Sequence, residues 1–371
     1  MKRRVKSYEL RVASWLAMAV VCTMCAGKGL GATGESEEFK LDLRGLGPWE
    51  NHVAAASETI AFSPGWATDA GTDAEAVVKI AKARKSKPKY IAIDLSGGTS
   101  AAKYPVEYFD EIPGGAWSDE YKTSKLVLRH IPAGSFVMGG RNTDYPGAVN
   151  TNLHLVTITK DFYMGVFEVT QRQWELVMGN RPSAFSNETC YATRPVEQVS
   201  YGDIRGSANG IKWPESKDVD DDSFVGKLRQ RTGIGGFDLP TEAQWEYACR
   251  AGTKTKYSYG DEPNGDYMWY NENSNWKSHR VGEKKPNGWG LYDMHGNVWE
   301  KCLDSRGDLV YGTNPKGLAS SDFRVDRGGG WMCNTSDCRS AHRGGFVSGG
   351  SNFNLGFRPV CSAEPLSKGK H

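Results

Sequence analysis

Gly290-Leu-Tyr-Asp-Met-His-Gly-Asn-Val-Trp-Glu300 packs two glycines, two carboxylates, one amide and two aromatics into a single short stretch. Its apolar residues Leu291, Tyr292, Val298 and Trp299 follow neither the helical nor the strand repeat. A segment this apolar without a period reads as a buried irregular loop. Its backbone N–H and C=O groups then need partners among side chains, water or an ion. Asp293, Asn297 and Glu300 offer the oxygens that a hard cation such as calcium takes.

Outward from this stretch the text stays rich in turns. The 371 residues hold 44 Gly and 12 Trp, which points to an aromatic core crossed by tight turns rather than to a helical bundle. A net charge of +2 gives no case for a nucleic-acid partner. No P-loop, dinucleotide fingerprint or nucleophile elbow is present.

The chain opens with the basic Met1-Lys-Arg-Arg-Val-Lys6, then a mostly apolar run from Val12 to Ala26, then the small pair Gly31-Ala32. Residues 1–32 therefore read as a signal peptide, and the protein as secreted or periplasmic. The apolar run falls short of the roughly twenty residues of a membrane span, so contact with a membrane is expected only through this signal. Beyond it lie Cys190, Cys249, Cys302, Cys333, Cys338 and Cys361, an even set that favours disulfides in an exported protein.

Residues 36–120 read as a small β-rich accessory module. Thr59-Ile-Ala-Phe62 and Tyr90-Ile-Ala-Ile-Asp-Leu95 are its strand candidates, and between them a helix-like, basic run ends on Lys85, Lys87 and Lys89. A turn-rich joint, Pro113 to Glu120, leads to the main domain at 125–362, followed by a flexible tail at 363–371. Strands are expected at Leu126–Ile131, Phe136–Gly139 and Leu155–Thr159. Thr170 with Gln173 and Thr241 with Gln244 form capping boxes that open two helices. A short helix is expected at Tyr201–Arg205 and another after the cap Ser223, broken at Gly233. The helix from Glu242 to Ala251 is expected to end on Gly252, with Trp245 and Cys249 on one buried face.

The opening stretch resembles the GLYDMxGNVWEW signature of the formylglycine-generating (sulfatase-modifying factor) family. The similarity recurs, in family order, at Phe162-Tyr-Met-Gly-Val-Phe-Glu-Val-Thr170, Arg194-Pro-Val-Glu-Gln-Val-Ser200, Leu239-Pro-Thr-Glu-Ala-Gln-Trp-Glu-Tyr-Ala-Cys-Arg250, Arg327-Gly-Gly-Gly-Trp331 and Asn354-Leu-Gly-Phe-Arg358. The resemblance implies an α+β, elaborated C-type-lectin-like fold with little regular secondary structure.

It also implies chemistry. Cys333 and Cys338, on one loop after Gly328-Gly-Gly-Trp-Met332, can converge on a soft metal, and copper(I) accepts two thiolates. In the family such a pair binds copper(I), and dioxygen is used to convert a cysteine of a client protein, a sulfatase, to formylglycine. Cys333 and Cys338 are then both copper ligands and catalytic residues. Gly330 stands where active members carry serine. The resemblance equally allows a cross-link between Cys249 and Cys338, and a Cys333–Cys338 disulfide also stays open, as do structural roles for Cys190, Cys302 and Cys361.

For calcium, the resemblance implies Asp293 with oxygens near Gly296 and Val298, and Glu168 reaching in. His342 and Arg343 are expected along the substrate groove, and Arg358 to satisfy carbonyls of the core. His279, His295 and His342 show no zinc or iron spacing. Two functions follow: an exported copper-dependent oxidase acting on a client such as a sulfatase, or a non-catalytic lectin-like module that binds protein or glycan.

Overall fold

The computed structural model describes residues 87–140, 152–187, 189–309, 311–318 and 321–362, together with the backbone of two short strands near the start. Those two, β1 (Phe39–Lys40) and β2 (Thr59–Ile60), pair antiparallel within a unit covering residues 1–86. The strand expected at Thr59 is thus present. The stretch read as a signal peptide, most of the basic run and the tail expected at 363–371 lie outside the described residues.

The second unit starts at Lys87. It opens with β3 (Tyr90–Asp94) and β4 (Val106–Phe109), then β5 (Lys125–Ile131), β6 (Gly134–Met138), β7 (His154–Ile158) and β8 (Phe162–Gly165). Four helices follow: α1 (Gln171–Met178), α2 (Tyr201–Arg205), α3 (Phe224–Thr232) and α4 (Glu242–Arg250). The remainder is loop and short strand: β9 (Trp299–Ser305), β10 (Gly312–Thr313), β11 (Phe323–Arg327), β12 (Gly344–Val347), β13 (Leu355–Gly356) and β14 (Val360–Ser362). This is the α+β architecture with little regular structure that the sequence implied.

Three sheets carry the unit. One has the order β14-β8-β5-β3-β4, a second β12-β11-β9-β13 and a third β10-β7-β6. The first corrects the division expected near residue 120. Tyr90 to Asp94 pair residue by residue with Arg129 to Lys125, so β3 and β4 extend the sheet of the main unit. The reason is burial: the alternate faces of Tyr90-Ile-Ala-Ile93 enter two separate apolar clusters of that unit.

The capping boxes form as read. Thr170 accepts from the Gln173 N–H while Gln173 reaches back, and Thr241 and Gln244 do the same. Ser200 and Asp203 form a third box, and Ser223 caps α3. The Trp174 ring of α1 stacks on Phe224 of α3 at 5.3 Å, with Phe357 edge-on to both. Trp245 and Cys249 of α4 are fully buried, as their spacing required. Among the described residues no helix is long and apolar enough to cross a membrane.

The end of α4 differs from expectation in one respect. The residue that turns left-handed at its C-terminus is Ala251, at φ 47°, one before Gly252. A Cβ there is strained by about 1 kcal/mol. We therefore expect Ala251→Gly to raise unfolding stability by up to about 1 kcal/mol, measured by urea denaturation.

Candidate functional site

The Gly290–Glu300 stretch is an irregular buried loop, and its backbone needs are met by other loops. The Tyr292 N–H donates to Val166 O, Gly296 N–H to Gly328 O and Asn297 N–H to Trp269 O, while Asn297 O accepts from Trp331 N–H. Asp293, Gly296 and Asn297 all sit at positive φ. Glycine is required at 296, since a Cβ there would run into the Trp269 carbonyl. Asp293 and Asn297 tolerate the left-handed region because short polar side chains bond locally. By these bonds the loop fixes both the end of β8 and the Gly328–Trp331 segment that leads into the cysteines.

Beneath it lies a buried acidic group. Arg358 holds Glu300 with two bonds, Nε to Oε2 at 2.7 Å and Nη2 to Oε1 at 2.5 Å, and donates onward to the carbonyls of Gly165 and Tyr292. Trp245 Nε1 also donates to Glu300, at 2.7 Å. Glu300, which the sequence offered as a cation ligand, is thus committed to Arg358 and Trp245, which place three N–H donors on its two oxygens. Arg358 takes the carbonyl-satisfying role expected of it.

Glu168 is fully buried. Its Oε2 accepts from Asn297 Nδ2 at 2.7 Å and its Oε1 from the Val298 N–H at 3.2 Å. Asp293 Oδ2 accepts from the Gly282 N–H at 2.7 Å, while the buried Oδ1 has no protein partner. Burial, then the neighbouring Asp293 and Glu300 charges, lift the Glu168 carboxyl well above the usual range. Burial likewise pushes Asp293 up to about 6. With Arg358 spent on Glu300, Glu168 and Asp293 form a buried excess of negative charge with one orphaned oxygen. That fits a hard divalent cation in charge and donor type. Gly296 and Val298 lie in the same loop, but their N–H groups point at Gly328 O and Glu168, so only their carbonyls remain for such an ion.

The cysteine loop begins at Gly328 and Gly329, both at positive φ. It turns at Gly330, whose carbonyl accepts from the Cys333 N–H at 2.9 Å, and closes with a 3-10 turn over Thr335–Cys338. Cys338 is buried against Tyr257 and Met268, and the half-buried Cys333 packs on the same cluster. The Gly330 N–H faces both thiols. Trp299 Nε1 donates to Cys333 Sγ at 3.1 Å. Burial raises the Cys333 thiol and lifts Cys338 well above its ordinary value. All six cysteines among the described residues carry free thiols. Cys249 is not joined to Cys338: its Sγ lies 3.7 Å from Met294 O and 3.8 Å from His295 Nε2, and burial pushes it up to about 12. Two soft thiols on one loop suit copper(I), which asks for few ligands.

The sulfatase-modifying factor enzyme 1-like domain profile matches residues 118–363 of this chain. The chain belongs to that family. It is 32% identical over 237 residues to the chaperone protein LppX of Paenibacillus barcinonensis, covering 54% of this chain and 80% of that protein. To the formylglycine-generating enzyme of Bos taurus it is 30% identical over 303 residues, covering 69% and 78%. Among solved structures, Treponema denticola variable protein 1 superposes with a TM-score of 0.55 at 29% identity, over 64% of this chain and 95% of that one. The lectin-like α+β fold expected from the sequence is therefore that of this family.

Within the family framework, His342 and Arg343 part company. The His342 ring stands 5.6 Å from Trp299, the indole that touches Cys333, and its Nε2 is 3.8 Å from Asp337. Burial lowers it to about 4, so it is neutral at ordinary pH. Arg343 is instead clamped by Glu242, at 2.5 and 2.8 Å, and donates to Gly307 O. It braces α4 through Glu242.

Residues to which the sequence gave no role also surround the thiols. Asn354 lies 3.9 Å from Cys333 Sγ, and a Cβ on Gly330 would overlap its side-chain amide. Beside the cysteine loop Trp331 meets Trp276 and Phe353, and Trp276, Met332 and Phe353 are 64%, 40% and 39% exposed. An exposed Trp and Phe carry no signal in a text this rich in aromatics.

The raised Asp293 gives a pH prediction. A carboxyl whose folded value lies above its unfolded one contributes stability below pH 4, and that contribution is lost as pH rises through about 6. In chelator, unfolding stability should fall between pH 4 and 7, by up to about 3 kcal/mol. Asp293→Asn should make that fall shallower, leaving the part carried by Glu168 and the other raised carboxyls, read by urea denaturation at each pH.

Proposed function

We propose that this protein uses Cys333 and Cys338 to hold copper(I) and oxidises a cysteine of a client protein, a sulfatase in the first instance, to formylglycine outside the cytoplasm. The single observation behind this reading is the placement of two free thiols on one loop, apart from Cys249 and flanked by an exposed aromatic rim. Family membership supports a sulfatase-modifying type of function, and the cow relative bears the enzyme's name.

When bound, copper would supply affinity for the client's thiolate and reactivity toward dioxygen. The chain's own residues do the rest. Cys333, half-exposed, faces the client, and Cys338 anchors the pair from the apolar side. Both thiols are raised by burial, so they stay protonated until a metal displaces the protons, and copper uptake should strengthen as pH rises. Trp299 fixes the Cys333 sulfur with its indole N–H. Trp276, Met332 and Phe353 provide an apolar surface on which an extended segment can lie beside Cys333. Calcium belongs to this reading as the ion that Glu168 and Asp293 hold, stiffening the loop that carries the cysteine segment.

A second reading is a binding module without catalysis. Asn354 favours it by filling the room a side chain at 330 would need, which leaves the thiols without the family's serine. The name of the Paenibacillus relative, a chaperone protein, suits the same aromatic face used only to hold a partner.

Copper(I) competition against a chromogenic chelator separates the two. We expect one tight copper per chain, weakened at least a hundredfold in Cys333→Ser and in Cys338→Ser, and conversion of a Cys-x-Pro-x-Arg peptide in air, followed by mass spectrometry. No copper binding above that of the double serine variant would leave the binding module. For calcium, added ion should raise the melting temperature of wild type and leave Asp293→Asn unmoved. An equal shift in both would remove this site.

A further inference from the structure

His295 belongs to the opening loop, yet its spacing gave it no role. In the structure it is fully buried between two cysteines that the sequence allowed to cross-link. Its Nδ1 lies 2.7 Å from the carbonyl of Cys338, and its Nε2 lies 3.8 Å from Cys249 Sγ. The tautomer follows from the neighbours. The Ser258 N–H can only donate, and it sits 3.1 Å from Nε2. Nε2 is therefore an acceptor, and the proton is on Nδ1, donated to Cys338 O. Ser258 Oγ, 2.9 Å away, shares the same nitrogen. The rings of Tyr257 and Tyr259 close over the imidazole at 5.6 and 5.4 Å. The imidazole thus has fixed partners on both edges and a fixed plane.

We propose that His295 is a positioning residue that keeps Cys338 from Cys249 and so leaves it free to work with Cys333. The imidazole touches the Cys249 sulfur on one edge and holds the Cys338 backbone on the other. Cys338 can approach Cys249 only if that hydrogen bond breaks and the ring moves. Gly329 fits the same packing: a Cβ there would collide with Cys338 Sγ, so glycine leaves the thiol the space it occupies. The inference rests on the reading of Cys333 and Cys338 as a pair, but its test needs no metal.

The full chain is treated with oxidised glutathione, which takes two electrons and two protons from a pair of thiols and leaves as two molecules of reduced glutathione. Remaining thiols are alkylated, and the disulfides are mapped by peptide mass spectrometry. In wild type we expect Cys249 to be recovered as a free thiol, with Cys338 free or joined to Cys333. In His295→Ala the Cys249–Cys338 link should rise on the order of tenfold. His295→Gln, which can still donate to Cys338 O, should keep the wild-type map, whereas a merely structural role would lower the melting temperature of either variant without changing which cysteines join. A Cys249–Cys338 link in native wild type overturns the proposal, as does a wild-type map in the alanine variant. The wild-type map decides by itself should that variant not fold. Copper titration reads the Cys333–Cys338 pair separately: an altered map without copper binding would sink the oxidase and leave His295 in its role.

Discussion

The Arg358–Glu300 ion pair is the contact on which this structure turns. Both side chains are fully buried, and Arg358 spends all five of its N–H donors. Through it β9, the link from β13 to β14, the exit of β8 at Gly165 and the Tyr292 carbonyl are drawn to one point, with Trp245 of α4 as a further donor. A buried pair of this kind is costly to form, and losing one partner costs about 3–5 kcal/mol because the other charge is stranded. In a fold whose second half is mostly loop, such a centre replaces the ladders that would otherwise fix the chain.

Its consequence is a charge imbalance next door. Because Arg358 bonds to Glu300, Glu168 and Asp293 feel its charge only at a distance, and burial with the neighbouring carboxylates still raises both. Their partners are N–H groups of Asn297 and Val298 in the same loop and of Gly282 before it. The loop is therefore held by acceptors that prefer either a proton or an ion.

The thiol loop inherits its position from that segment. Gly296 N–H reaches Gly328 O, Asn297 O takes the Trp331 N–H and His295 takes Cys338 O, so three successive residues of the acidic loop grip the stretch from 328 to 338. Trp299, in the same stretch, touches Cys333. Scaffold and candidate chemistry are thus two segments of chain bonded edge to edge.

Much of this was legible beforehand. Period and capping residues located β5, β6, β7 and the helices, since those signals are local, and the absence of any period marked Gly290–Glu300 as loop. The motifs supplied the family and hence the lectin-like α+β fold. What the sequence could not contain were choices among equally plausible partners. It offered Glu300 to a cation, Arg343 to a groove and Cys338 to Cys249. The folded chain gave Glu300 to Arg358, Arg343 to Glu242 and Cys338 to His295. It also joined Tyr90–Asp94 to β5 across what read as a domain joint. Local preference is written in neighbouring residues, but which buried charge or thiol meets which is settled by packing between segments far apart in the chain.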